Sequence, residues 1–157
     1  MQAGDIIFVR GGNSPISSLI RLLDGEFSHC CIAVSPTQIL EAQRFIKSRI
    51  TDLYFKEGNY VVVDLGLSQE QREIVKQIAP SLTGYDYDYV QVIGFFFEKL
   101  LNINIDQYFD SDDKFVCSEL VDIILYYIGF IDEEEYVGDH TPNELYRFLK
   151  RFTVIDK

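Results

Sequence analysis

The sequence predicts an α+β domain, and three observations carry that expectation. Segments with strand character lead the chain, segments with helical periodicity follow, and the two do not alternate as a parallel βαβ sheet requires. The 157 residues suit a single domain spanning 1–157 with a substantial core. Apolar residues make up 47% of the chain, too many for a disordered one.

Residues 5–10 are rich in β-branched and aromatic types and read as the first strand. Gly11 to Pro15 form a loop, and Pro15 suits the first turn of a short helix, ISSLIRLL, that Asp24 and Gly25 end. Residues 29–35 and 38–43 read as an antiparallel hairpin turning at Pro36 and Thr37. Residues 60–65 are apolar throughout and read as a central strand. Ser68 with Gln71 three positions later is a capping box, opening a helix that runs to about Ala79. A turn-rich stretch at 83–88 precedes a helix over 89–101 and a polar loop over 102–114. FVCSELVDIILYYIGF then forms an amphipathic helix from Cys117 to near Gly129. Thr141 and Pro142 supply the cap and first position of a last helix over 143–150, and TVI closes the sheet.

With 14 basic against 25 acidic residues the net charge is −11, which excludes electrostatic binding of nucleic acid or anionic membrane. The acidic run Asp132 to Glu135 lacks calcium-loop spacing and reads as a solvated loop. Three cysteines, two of them adjacent, make no disulfide framework and fit a reducing compartment. No signal peptide is visible, and apolar stretches such as VIGFFF fall well short of the ~20 residues of a membrane helix. The expectation is a cytoplasmic protein without cofactor, metal or membrane span, with export after processing left open.

Cys117 opens the buried stripe formed by Leu120, Val121, Ile124, Leu125 and Ile128. A helix N-terminus favours the thiolate, so a cysteine there can be a nucleophile, although most such cysteines only pack. A thiol nucleophile needs a base and a group to orient it. Two histidines exist: His29, at the start of a strand, is preferred as base over His140, which reads as an exposed loop residue. Glu41, 12 positions after His29, is the candidate orienting acid. Alternation puts His29 and Cys31 on one face and Cys30 on the other. A two-residue turn would leave Glu41 on the face opposite His29, whereas an odd-length connection or a bulge gives them a common face. Metal binding by His29, Cys31, Glu41 and Cys117 is disfavoured, since neither CxxC nor HExxH occurs. Ser28 and Ser118 flank these residues, but so few bases exist that a serine nucleophile is disfavoured too.

The set GDIIFVRGG, SSLIRLL, FSHCCIAV, ILEAQ, GYDYDYVQ, FVCSELVDIILYYIGF and TPNEL resembles, over nearly the whole chain, the permuted papain-fold cysteine hydrolases, specifically the YiiX/YaeF-like branch of the NlpC superfamily. Histidine before cysteine is the order of that branch, and Glu41, where related acyltransferases carry a second histidine, favours it over them. The resemblance implies a circularly permuted papain-like fold. It also implies Cys117 as nucleophile, His29 as general base and acid, and Glu41 as orienting group. The expected activity is an amidase or peptidase working through a thioester, with cell-wall peptides as one candidate substrate. Lipid acyl transfer or thioester hydrolysis at the same site, with Phe95 to Phe97 supplying an apolar groove, and a non-catalytic binding module are the alternatives. Gly4 and Asp5 match the family's GD start and read as structural. Tyr85 and Tyr87 match its YD segment, where they line the groove or pack against the Cys117 helix. Ser28 and Cys31 join them as candidate substrate contacts. Cys31 departs from a position usually small, which places a thiol where it can crowd the site or oxidise with Cys117.

Overall fold

The computed structural model describes residues 1–10, 25–43, 46–87, 114–115, 117–132 and 140–157. Six of its strands are β1 (Ile6–Arg10), β2 (Phe27–Ala33), β3 (Gln38–Gln43), β4 (Ile46–Asp52), β5 (Tyr60–Asp64) and β8 (Thr153–Asp156). They form one sheet in the order β4-β3-β2-β1-β5-β8, antiparallel throughout. Two-residue strands β6 (Asp86–Tyr87) and β7 (Lys114–Phe115) pair in parallel. The helices among the described residues are α1 (Gln69–Ile78), α2 (Cys117–Tyr127) and α3 (Pro142–Leu149), with a 3₁₀ turn at Ala79–Leu82. This is the α+β architecture that the order of patterns predicted.

Alternation along the strands divides the apolar residues between two faces. Ile6, Phe8, Cys30, Ile32, Leu40, Ala42, Val61 and Val63 pack with Leu120, Val121, Ile124 and Leu125 of α2 and Leu145 and Leu149 of α3. Ile7, Cys31, Ala33, Ile39, Tyr60 and Val62 form a smaller cluster on the opposite face. The stripe positions Leu120, Val121, Ile124 and Leu125 are buried as the sequence predicts, and the polar Ser118 and Asp122 are buried beside them. Both capping boxes close as side chain-to-backbone pairs, Ser68 with Gln71 and Thr141 with Glu144.

Strand β4 has no counterpart in the sequence reading. Its residues IKSRITD carry no apolar run because it is an edge strand in which only Ser48 is buried. Strand β5 lies between β1 and β8, one place in from the other edge, not at the centre. The GD start is structural here: the buried Asp5 Oδ1 accepts from Arg72 Nη1 at 3.0 Å, and Gly4 sits at φ +89° where a Cβ would meet Leu67 at 2.3 Å. The expected helix over ISSLIRLL, the helix over 89–101 and residues 102–113 of the expected 102–114 loop lie outside the described residues, while Lys114, read as loop, opens β7.

Candidate active site

Cys117 is the first residue of α2, where the free N–H groups and positive helix end favour an anion. Its side chain is buried with the sheet-facing core. The parallel pairing of Tyr87 with Phe115 ties the 86–87 segment to the chain just before this helix.

His29 is the third residue of β2. The ladder with β1 pairs Val9 with His29 but Arg10 with Phe27, so Ser28 is the extra residue of a bulge. That bulge turns Phe27 to the helix-covered core while His29 keeps the opposite parity with Cys31. Asn143 of α3 anchors the bulged end: its Oδ1 accepts from the Phe27 N–H at 2.9 Å and its Nδ2 donates to the Phe27 carbonyl at 2.6 Å.

Between β2 and β3, Ala33 faces Ile39 and Ile32 faces Leu40. The connection, residues 34–38, is therefore odd in length, and the continued register sets Glu41 opposite Cys31 on the face shared with His29. His29 Nε2 lies 3.4 Å from Glu41 Oε2, without the alignment of a hydrogen bond. Glu41 has no exposed surface. Its Oε1 accepts from Arg49 Nε at 3.0 Å and Nη2 at 2.9 Å, and its Oε2 accepts from the Tyr54 hydroxyl at 2.8 Å. The Phe55 ring packs between those of His29 and Tyr54, with centroids at 6.0 and 4.5 Å.

Burial alone would push the His29 imidazole down. Contact with Cys117 and then with Glu41 overcomes that and lifts it to about 9. The Cys117 thiol is held well below the usual thiol range, first by a hydrogen bond from Cys30 and then, against its burial, by His29. Burial raises Cys30 and Cys31, so both remain thiols. Glu41 stays below the usual carboxylate range despite burial, through His29, Tyr54 and Arg49.

Cys117, His29 and Glu41, far apart in sequence, thus meet in one place. Cys31 lies opposite Cys30 as the alternation predicts, buried with Ile7, Ala33 and Val62. The cysteine against Cys117 is Cys30, because the parity of β2 points Cys30 at the helix and sends Cys31 into the opposite cluster. His140 is not an exposed loop residue: its Nδ1 lies 2.8 Å from the buried Asp122 of α2, and its ring stacks on Phe148. The backbone of Tyr85 is tied to Ser48 of β4 in both directions, Tyr85 N–H to Ser48 Oγ at 3.0 Å and Ser48 N–H to the Tyr85 carbonyl at 2.8 Å. The Tyr87 side chain and Phe95 to Phe97 lie outside the described residues. Arg49 and Tyr54 were missed with their strand. Arg49 is the direct cross-strand neighbour of Glu41 in the β3–β4 ladder, a pairing the sequence does not show because β4 carries no apolar alternation.

The fold is a mixed α+β domain built on a six-stranded antiparallel sheet. It is similar to the crystal structure of the metalloprotein yiiX from Escherichia coli O157:H7 (DUF1105), with a TM-score of 0.57 and 22% identity. The similarity covers 99% of this chain and 97% of that chain. No family profile and no curated protein matches the sequence. No helix among the described residues is long and apolar enough to cross a membrane.

Proposed function

We propose that the chain is a cysteine hydrolase of the permuted papain-like, YiiX/YaeF-like kind, acting on an amide bond through a thioester. One observation carries the reading: a nearly buried imidazole is held between a helix-N-terminal thiol and a buried carboxylate. In the low dielectric of that site, proton transfer from Cys117 to His29 creates an ion pair that Glu41 stabilises on its far side.

Cys117 Sγ attacks the substrate carbonyl carbon, and its electron pair forms the C–S bond as the oxygen takes the negative charge. The Cys117 backbone N–H, free at the helix start, is a donor for that oxygen. The imidazolium proton passes from His29 to the leaving nitrogen as the C–N bond breaks. Neutral His29 then takes a proton from water, which attacks the thioester and releases the acid, and Cys117 leaves as thiolate.

The yiiX structure is described as that of a metalloprotein. Among the described residues, the donor set around Glu41 does not fit a resident ion. Both Glu41 oxygens are engaged by Arg49 and Tyr54, with the guanidinium charge at the carboxylate. No three His, Cys, Asp or Glu side chains cluster suitably among the described residues. No step here runs through a metal.

Labelling of Cys117 by iodoacetamide from pH 5 to 10, followed by peptide mass spectrometry, tests the reading. Rapid labelling well below pH 8 that His29→Ala reduces to that of an ordinary thiol is expected. An identical profile in His29→Ala would overturn it.

A further inference from the structure

Glu41 is held by two side chains that the mechanism above does not use. Arg49 stands opposite it across the β3–β4 ladder and gives two N–H groups to one carboxylate oxygen. Tyr54, just beyond β4, gives its hydroxyl to the other oxygen, the one facing His29. Tyr54 is 47% exposed while Glu41 has no exposed surface, so this hydrogen bond joins the buried acid to a side chain at the surface. A carboxylate held on one oxygen alone can swing about its χ3 torsion, which is broad and two-fold. Held on both, it presents a fixed lone pair to the imidazole.

We propose that Tyr54, with Arg49, is a positioning residue of the candidate active site, holding the Glu41 carboxylate so that Oε2 faces His29 Nε2. This rests on the Cys117–His29–Glu41 reading above. Tyr54 does not touch Cys117 and acts only through Glu41. Its loss weakens the hold on the imidazolium and so narrows the pH range in which the Cys117 thiolate and the imidazolium coexist. The titratable groups that act on His29 are Cys117 and Glu41, with Cys30 and Cys31 beside Cys117 and Arg49 on Glu41; Tyr54→Phe removes none of these charges and takes from Glu41 one hydrogen bond.

The experiment measures the pH profile of Cys117 alkylation by iodoacetamide in the full chain, for wild type, Tyr54→Phe, Tyr54→Ala, Arg49→Lys and His29→Ala. Tyr54→Phe keeps the ring on Phe55 and removes one hydroxyl. Its alkaline limb should move down from about 9 by roughly half to one pH unit, with the acid limb moving up. Arg49→Lys, which keeps the charge but loses the fork, should shift in the same direction. A Tyr54→Phe profile identical to wild type, with His29→Ala still abolishing enhanced labelling, overturns this inference and leaves the proposed function standing. A wild-type profile in His29→Ala overturns both. A shift in Tyr54→Ala but not in Tyr54→Phe assigns the effect to the ring as a cover and overturns the hydrogen-bonding role.

Discussion

Replacing Cys117 by serine removes the thiolate but keeps the shape of the site, and the response of His29 then measures their coupling. In the native protein His29 titrates at about 9 instead of 6.5. That difference corresponds to about 3 kcal/mol in favour of the imidazolium. At pH 7.5 His29 is then mostly protonated, where an ordinary histidine is mostly neutral. Cys117 is the larger of the two partners holding the charge, and burial opposes it. In Cys117→Ser, Glu41 alone works against burial, and the titration should fall by roughly one pH unit or more. Long-range ¹H–¹⁵N NMR of the imidazole nitrogens follows this directly. With only two histidines in the chain, a His140→Gln variant assigns the signals. A native His29 titrating near 6.5, or the same midpoint in Cys117→Ser, would refute the coupling.

Glu41→Gln should destabilise the protein by about 1–3 kcal/mol at pH 7, because the buried carboxylate loses its charge-assisted bonds from Tyr54 and from Arg49, whose 40% exposure screens the loss. The folded-state value of Glu41 is depressed, so its contribution is present above the usual carboxylate pKa of 4.5 and lost as pH falls through the folded value. Urea unfolding should show the difference between the two proteins shrinking below pH 4.5, and a constant difference would contradict the assignment. Asn143→Ala strips partners from both backbone groups of Phe27 and should cost about 2–4 kcal/mol in urea unfolding. A loss under about 1 kcal/mol would mean that the bulge holds without α3. Peroxide should oxidise the Cys117 thiolate to a sulfenic acid, from which the Cys30 thiol displaces water to form a disulfide. Peptide mapping should find this bridge in wild type and in Cys31→Ser but not in Cys30→Ser, and a Cys31–Cys117 bridge would contradict the parity of β2.

Most elements were readable because their causes are local. The 3.6-residue stripe of α2, the Ser68–Gln71 capping box, the Thr141 cap and the limits of β3 each depend on residues within a few positions of one another. Strand β4 was not readable, since an edge strand with one buried residue carries no hydrophobic alternation. Arg49 and Tyr54 were lost with it. The face shared by His29 and Glu41 was posed by the sequence as a question of parity, and the odd-length connection at 34–38 answers it.

By itself, then, the sequence determined the α+β class, the placement of Cys117 at a helix start and the residues worth testing as its partners. Only the tertiary structure decided which cysteine touches Cys117, that His140 belongs to Asp122, and that Arg49 and Tyr54 hold Glu41. The division is physical. Periodicity and capping act over a turn or two of chain, whereas side-chain partners come from strand register and helix docking between segments remote in sequence.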